Sequence, residues 1–160
     1  MKITTLQILI SYLVALALFL IAVFRQRKPR PLDGRLYKRT RLMNHSEQRL
    51  FQKLKMAFPD YYIFPQIPFS CIATPKQYNQ KLFWKINQKR VDFLLCNQQL
   101  EALLIIELDG PIHKSKKQSD KERDKFFKCI GLNTLRIDVE ALKALDLETL
   151  KKQVWEKIKN

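Results

Sequence analysis

Residues 103–113 read Leu-Leu-Ile-Ile-Glu-Leu-Asp-Gly-Pro-Ile-His, and they constrain the fold more than any other stretch. An apolar run of strand length closed by a Gly-Pro turn signal predicts a fully buried central strand. Side chains alternate along a strand, so Glu107 and Asp109 share a face where the strand leaves the core. Two carboxylates placed so repel each other and are poorly solvated unless a proton or cation sits between them. A divalent metal is the expected cation. The alternative is that both acids open a solvated turn made by the Asp-Gly pair.

The flanking sequence supplies the rest of a sheet. Residues 90–96 form a second strand, Asn97-Gln98-Gln99 a turn, and 100–108 the return strand, an antiparallel hairpin that brings Asp92 into the same sheet. Upstream, Asn44 and Glu47 have the spacing of a capping box, and Leu50, Phe51, Leu54, Ala57 and Phe58 give that helix an apolar stripe before Pro59-Asp60. Residues 61–69 are aromatic and β-branched but hold Pro65 and Pro68, which predicts an edge or irregular strand. The polar stretch 70–89 carries no period that assigns it a structure; Phe83 and Trp84 within it are expected in the core. After a basic loop at 114–119 come a helix over 120–130, with Phe126, Phe127 and Ile130 inward and Gly131 as its stop, a strand over 134–137, and an amphipathic helix over 145–159. The expected fold is α/β, a sandwich around a small mixed central sheet.

Ahead of this domain, residues 6–24 are an almost unbroken apolar run. A helix rises about 1.5 Å per residue, so the run approaches the thickness of a bilayer core. A transmembrane helix is expected over residues 1–24. Lys2 is the only basic side chain before the run, whereas Arg25, Arg27, Lys28, Arg30, Arg35, Lys38, Arg39 and Arg41 follow it. The positive-inside bias puts the N-terminus outside and the rest in the cytoplasm, at a bacterial inner membrane. Residues 25–42 then read as a basic linker at the anionic lipid surface, and 43–160 as the α/β domain. With a net charge of +15 over 160 residues, the expected partner is a polyanion, nucleic acid or anionic lipid. Cys71, Cys96 and Cys129 suggest neither a disulfide framework nor a zinc site and are expected as small buried hydrophobes.

Glu47, Asp92, Glu107, Asp109 and His113 together offer oxygen ligands and a proton carrier, and the nearby cations Lys114 and Arg123 could hold a phosphate. In Val91-Asp92-Phe93, Ile106-Glu107-Leu108-Asp109-Gly110 with His113, Arg123-Asp124, and Gly131 with Leu135-Arg136, the chain resembles the PD-(D/E)xK nuclease superfamily, in the branch similar to very-short-patch-repair endonucleases. More narrowly, it is similar to a bacterial family in which such a domain follows an N-terminal membrane helix. The resemblance spans roughly residues 43–138. It implies a restriction-endonuclease-like fold, Mg²⁺ or alternatively Mn²⁺ held by Asp92, Glu107 and Asp109, and Glu47 orienting a water. It also implies His113 as general acid or base and a nucleic-acid substrate, DNA ahead of RNA. Asp109 stands where the superfamily has its lysine, so the stabilising cation must come from His113, Lys114 or Arg123.

Each residue also has a plainer role: Glu47 as a capping acid, Asp92 in an ion pair with Arg90 or Arg136, His113 in a turn, and Arg123-Asp124 on a solvated helix face. Two further function classes follow, an inactive nuclease fold kept for binding nucleic acid and a membrane-surface adaptor whose charge serves lipid.

Overall fold

The computed structural model of the protein describes residues 4–26, 32–110 and 117–159. The chain divides into two compact units, Met1–Thr40 and Arg41–Asn160. In the first, α1 (Thr5–Gln26) is a 22-residue helix whose described side chains are all exposed. Over the described residues no helix is long and apolar enough to cross a membrane; the side chains of α1 are described without a break only from residue 7 to residue 22. In the stretch expected as a linker, a short 3-10 turn at Gly34–Leu36 is capped by Asp33, whose carboxylate also accepts two nitrogens of Arg35.

The second unit is a mixed α/β fold. Its sheet has the order β1 (Tyr62–Pro68), β2 (Arg90–Cys96), β3 (Ala102–Asp109), β4 (Asn133–Asp138). The first three strands are antiparallel, and β4 runs parallel to β3 after the crossover helix α4 (Lys117–Cys129). The apolar run 104–106 is fully buried in β3, between β2 and β4. β1 is the edge strand that its two prolines require, since an edge strand leaves one row of backbone N–H groups without a ladder partner.

Alternation divides the core between two faces. Phe93, Leu95, Leu104, Ile106, Leu135 and Ile137 pack under α2 (His45–Ala57) and α5 (Leu147–Lys159), through Leu50, Leu54, Leu150 and Val154. Leu94, Cys96 and Ile105 face the other way, toward Phe127 of α4 and Phe69 of a 3-10 turn at Phe69–Cys71.

Several expectations fail where the chain leaves this core. The unassigned stretch contains a helix, α3 (Gln80–Asn87), started by Asn79, whose side chain accepts the Leu82 N–H. With eight residues it is too short for its period to stand out. None of its residues is buried, and Trp84 is 67% exposed rather than in the core. Cys71 and Cys129 are exposed and only Cys96 is buried, because the first two sit at the ends of their elements. Ile130, one residue beyond α4, is likewise exposed.

Candidate active site

β2 and β3 pair as far as Phe93↔Ile106, while β2 stays paired with β1 to Pro68↔Arg90. Beyond that point a side chain takes over from the ladder: Asp92 Oδ2 accepts the Leu108 N–H at 2.9 Å. The N–H that strand pairing would satisfy is thus bound by a carboxylate, and the sheet opens at this end. A cavity of about 560 Å³ lies there, lined among others by Glu47, Asp92, Glu107, Asp109, Arg123 and Arg136.

The pleat and one side-chain bond explain why these groups meet. Glu107 lies two residues beyond Ile105 and so continues its α4-facing row, whereas Asp92 is fixed by its bond to the Leu108 N–H, the alternation of β2 being broken between Val91 and Leu94, which share one cluster. Arg136 lies between Leu135 and Ile137, which face the other core, and so also points toward α4. α4 answers with consecutive charges. Arg123 Nη2 donates to Glu107 Oε1 at 2.6 Å and to the Arg90 carbonyl at 3.2 Å. Arg136 forks onto Asp124 through Nη2 at 3.0 Å and Nε at 3.3 Å, and reaches Asp109 Oδ1 through Nη1 at 3.0 Å. The pair Arg123-Asp124 is therefore part of the site and not a solvated helix face.

Glu107 is the one buried charged residue among those described. Burial pushes its carboxyl up to about 8; the charges of Asp92 and Asp109 add to this, and Arg123 and Arg136 oppose it. Burial also works against the charge of Arg136, but the hydrogen bonds and charges of Asp124 and Asp109 outweigh it and hold its guanidinium above the usual range. Arg136→Ala leaves two partly exposed carboxylates beside Glu107 without their cation. It is expected to cost about 1–3 kcal/mol, against under about 0.5 kcal/mol for Lys151→Ala on a surface pair, read from urea midpoints.

Glu47 sits at the mouth through the capping box that its spacing predicts: Asn44 Oδ1 accepts the Glu47 N–H at 2.9 Å, and Glu47 Oε2 accepts the Asn44 N–H at 2.7 Å. Its other oxygen lies 3.5 Å from Gln66 Nε2. Gln66 has a φ of 55°, rare for a side-chain-bearing residue within a strand. It falls between the pairs Pro65↔Phe93 and Ile67↔Val91, opposite Asp92.

Five expected site residues, Glu47, Asp92, Glu107, Asp109 and Arg123, line this one cavity. His113 and Lys114 lie outside the described residues. Sequence reasoning gave no site role to His45 and Arg90, which also line the cavity, or to Gln66. The position of His45 beside the cap of α2 was the available signal for it. The expected ion pair of Asp92 with Arg90 or Arg136 is replaced by the bond to the Leu108 backbone.

The donors are carboxylate oxygens, the kind that hard divalent cations take, and Glu107 is a buried acid whose charge a cation would relieve. In kind the residues fit such an ion. As they stand, no group of three His, Cys, Asp or Glu side chains among the described residues could hold one, and Arg123 and Arg136 are the cations in contact with Glu107 and Asp109.

No solved structure matches the chain. An uncharacterised protein of Haemophilus influenzae is 32% identical over 81 residues, covering 48% of this chain and 42% of that protein, so the match spans less than half of either. The profile of a family of proteins of unknown function, DUF2726, matches residues 39–158, and the chain belongs to that family.

Proposed function

We propose that the chain is a membrane-anchored, Mg²⁺- or Mn²⁺-dependent nuclease with a restriction-endonuclease-like domain, hydrolysing phosphodiester bonds in nucleic acid, DNA ahead of RNA. The observation that carries this reading is the gathering of Asp92, Glu107 and Asp109 with Arg123 in one cavity at the open end of the sheet. To hold the metal these three acids would have to draw together, since as they stand no three described His, Cys, Asp or Glu side chains could hold one. When bound, it neutralises phosphate charge and makes an attacking water more acidic.

The chain's own groups have the remaining tasks. Arg90 and Arg123, at the cavity, and Lys114 bind phosphate oxygens, and Arg123 takes the place of the superfamily lysine that Asp109 displaces. Glu47, fixed by its cap and by Gln66, orients water. His113, and His45 at the cavity, are the imidazoles available to pass a proton. The tether is α1: its 22 residues span about 33 Å at the helical rise, its described large apolar side chains are exposed, and basic residues follow it. The positive-inside bias supports a domain on the cytoplasmic side of a bacterial inner membrane.

Arginine on both Glu107 and Asp109 favours one second reading, a fold that keeps nucleic-acid binding without hydrolysis. Metal affinity separates the two. Titration of the full chain with Mn²⁺, followed by the ion's paramagnetic resonance, is expected to give one site that Glu107→Gln weakens by about tenfold or more. Equal binding by both proteins would leave the acids without a metal and favour the binding module.

A further inference from the structure

α3 does not pack tightly against α4. The two helices are separated by a second cavity, of about 340 Å³ and mainly apolar, lined by Leu82, Lys85 and Ile86 of α3, by Arg123 and Phe126 of α4, and by Ile130 just beyond α4. Its inner wall is Phe69, which is buried and stacked on Phe126 with ring centroids 6.2 Å apart and planes 10° apart. The charged residues of its lining are Lys85, Lys89 and Arg123, against the one acid Glu122, so its net charge is positive.

Arg123 joins this cavity to the acidic one. It lines both, with Nη2 on Glu107 and its guanidinium 5.3 Å from the centre of the Phe69 ring. An occupant of the apolar cavity would therefore lie one side chain away from the carboxylates. It would have to be flat or slender to lie along aromatic walls, largely apolar on its faces, and attached to negative charge that Lys85 and Lys89 can meet.

We infer that this cavity receives an unstacked nucleobase of a single-stranded segment of the substrate, with the adjoining phosphates on Lys85, Lys89 and Arg123. The inference rests on the nucleic-acid reading above and narrows it to strands whose bases are accessible. Aromatic walls beside a basic track are how single strands are held without sequence preference, since every base has a π-face. A duplex keeps its bases stacked inside and offers only its backbone to the lysines.

The test is binding, without hydrolysis. The full chain in a chelating buffer of fixed salt is titrated with a short labelled single strand and with the same backbone carrying abasic sites. The base-bearing strand is expected to bind at least about tenfold more tightly. Ala73→Trp, which fills the cavity, and Leu82→Gln, a neutral polar side chain on a helix with no buried residue, are each expected to abolish that difference while leaving the abasic strand's affinity unchanged. The abasic comparison needs no variant, so a misfolded Ala73→Trp protein does not block the result. Equal affinity for the two strands overturns the inference, as does a preference for bases that survives both folded variants. Vesicles of phosphatidylglycerol that displace the strand from the wild type but not from Leu82→Gln would assign the cavity to an acyl chain and also overturn it. A preference for bases that holds while metal-dependent cleavage fails would remove hydrolysis alone.

Discussion

In divalent-free buffer, Glu107→Gln is expected to be more stable than the wild type by about 2–4 kcal/mol at pH 8, and to lose that advantage progressively toward pH 4.5. The cause is the buried carboxyl. Its folded-state pKa is raised to about 8 from an ordinary 4.5, mainly by burial. Between those values the folded protein holds a proton that the unfolded chain releases, so stability falls as pH rises. The stabilisation is complete below about 4.5 and is lost by the time pH has passed through about 8. Glutamine has nearly the same shape, still accepts a hydrogen bond from Arg123, and does not titrate. Every other group is common to both proteins, so the difference between their urea-unfolding free energies across this pH range isolates Glu107. A difference that stays flat would mean that the Arg123 pair keeps Glu107 ionised throughout, and that the site holds its charge without help from any further cation.

The buried central strand, the hairpin, the capping box and the edge placement of the proline-bearing strand were all legible because each is set by local chemistry. A run of apolar residues ending in Gly-Pro, an Asn with a Glu three residues on, and prolines that cannot donate to a ladder have few ways to be satisfied. α3 was not legible, since its stability comes from a cap and a short contact with the 3-10 turn before it, and not from an apolar stripe buried against the sheet. The exposure of Cys71 and Cys129 was missed for a related reason: apolar neighbours in sequence do not bury a residue at an element's end.

At the site, strand alternation was enough to bring Glu107 beside Asp109, and the hairpin to bring Asp92 near them. The arginines needed the tertiary fold. Arg136 meets Asp109 only because β4 runs parallel to β3, with Glu107↔Arg136 and Asp109↔Asp138 in register. Arg123 reaches Glu107 from the crossover helix. Gln66 could not be read as a site residue, because neither its left-handed backbone nor its place opposite Asp92 is written in a local pattern.

The largest effect expected of any single substitution is that of Asp92→Asn on cleavage. Asp92 both lines the cavity and, through its bond to the Leu108 N–H, closes the strand end that forms it. Asparagine keeps the shape and an oxygen able to accept that bond, so the fold is expected to persist, while the negative charge needed to hold a cation is gone. The most direct measurement is cleavage of plasmid and single-stranded DNA by the full chain in Mg²⁺ or Mn²⁺, beside an Asp92→Asn protein purified in parallel. Contaminating nucleases would act equally in both preparations, so the difference is the observable. Metal-dependent cleavage by the wild type is expected to fall by about a hundredfold or more in the variant. Equal rates in the two, or no cleavage by a folded wild-type protein on either substrate, would contradict the nuclease reading and leave a nucleic-acid-binding module in its place.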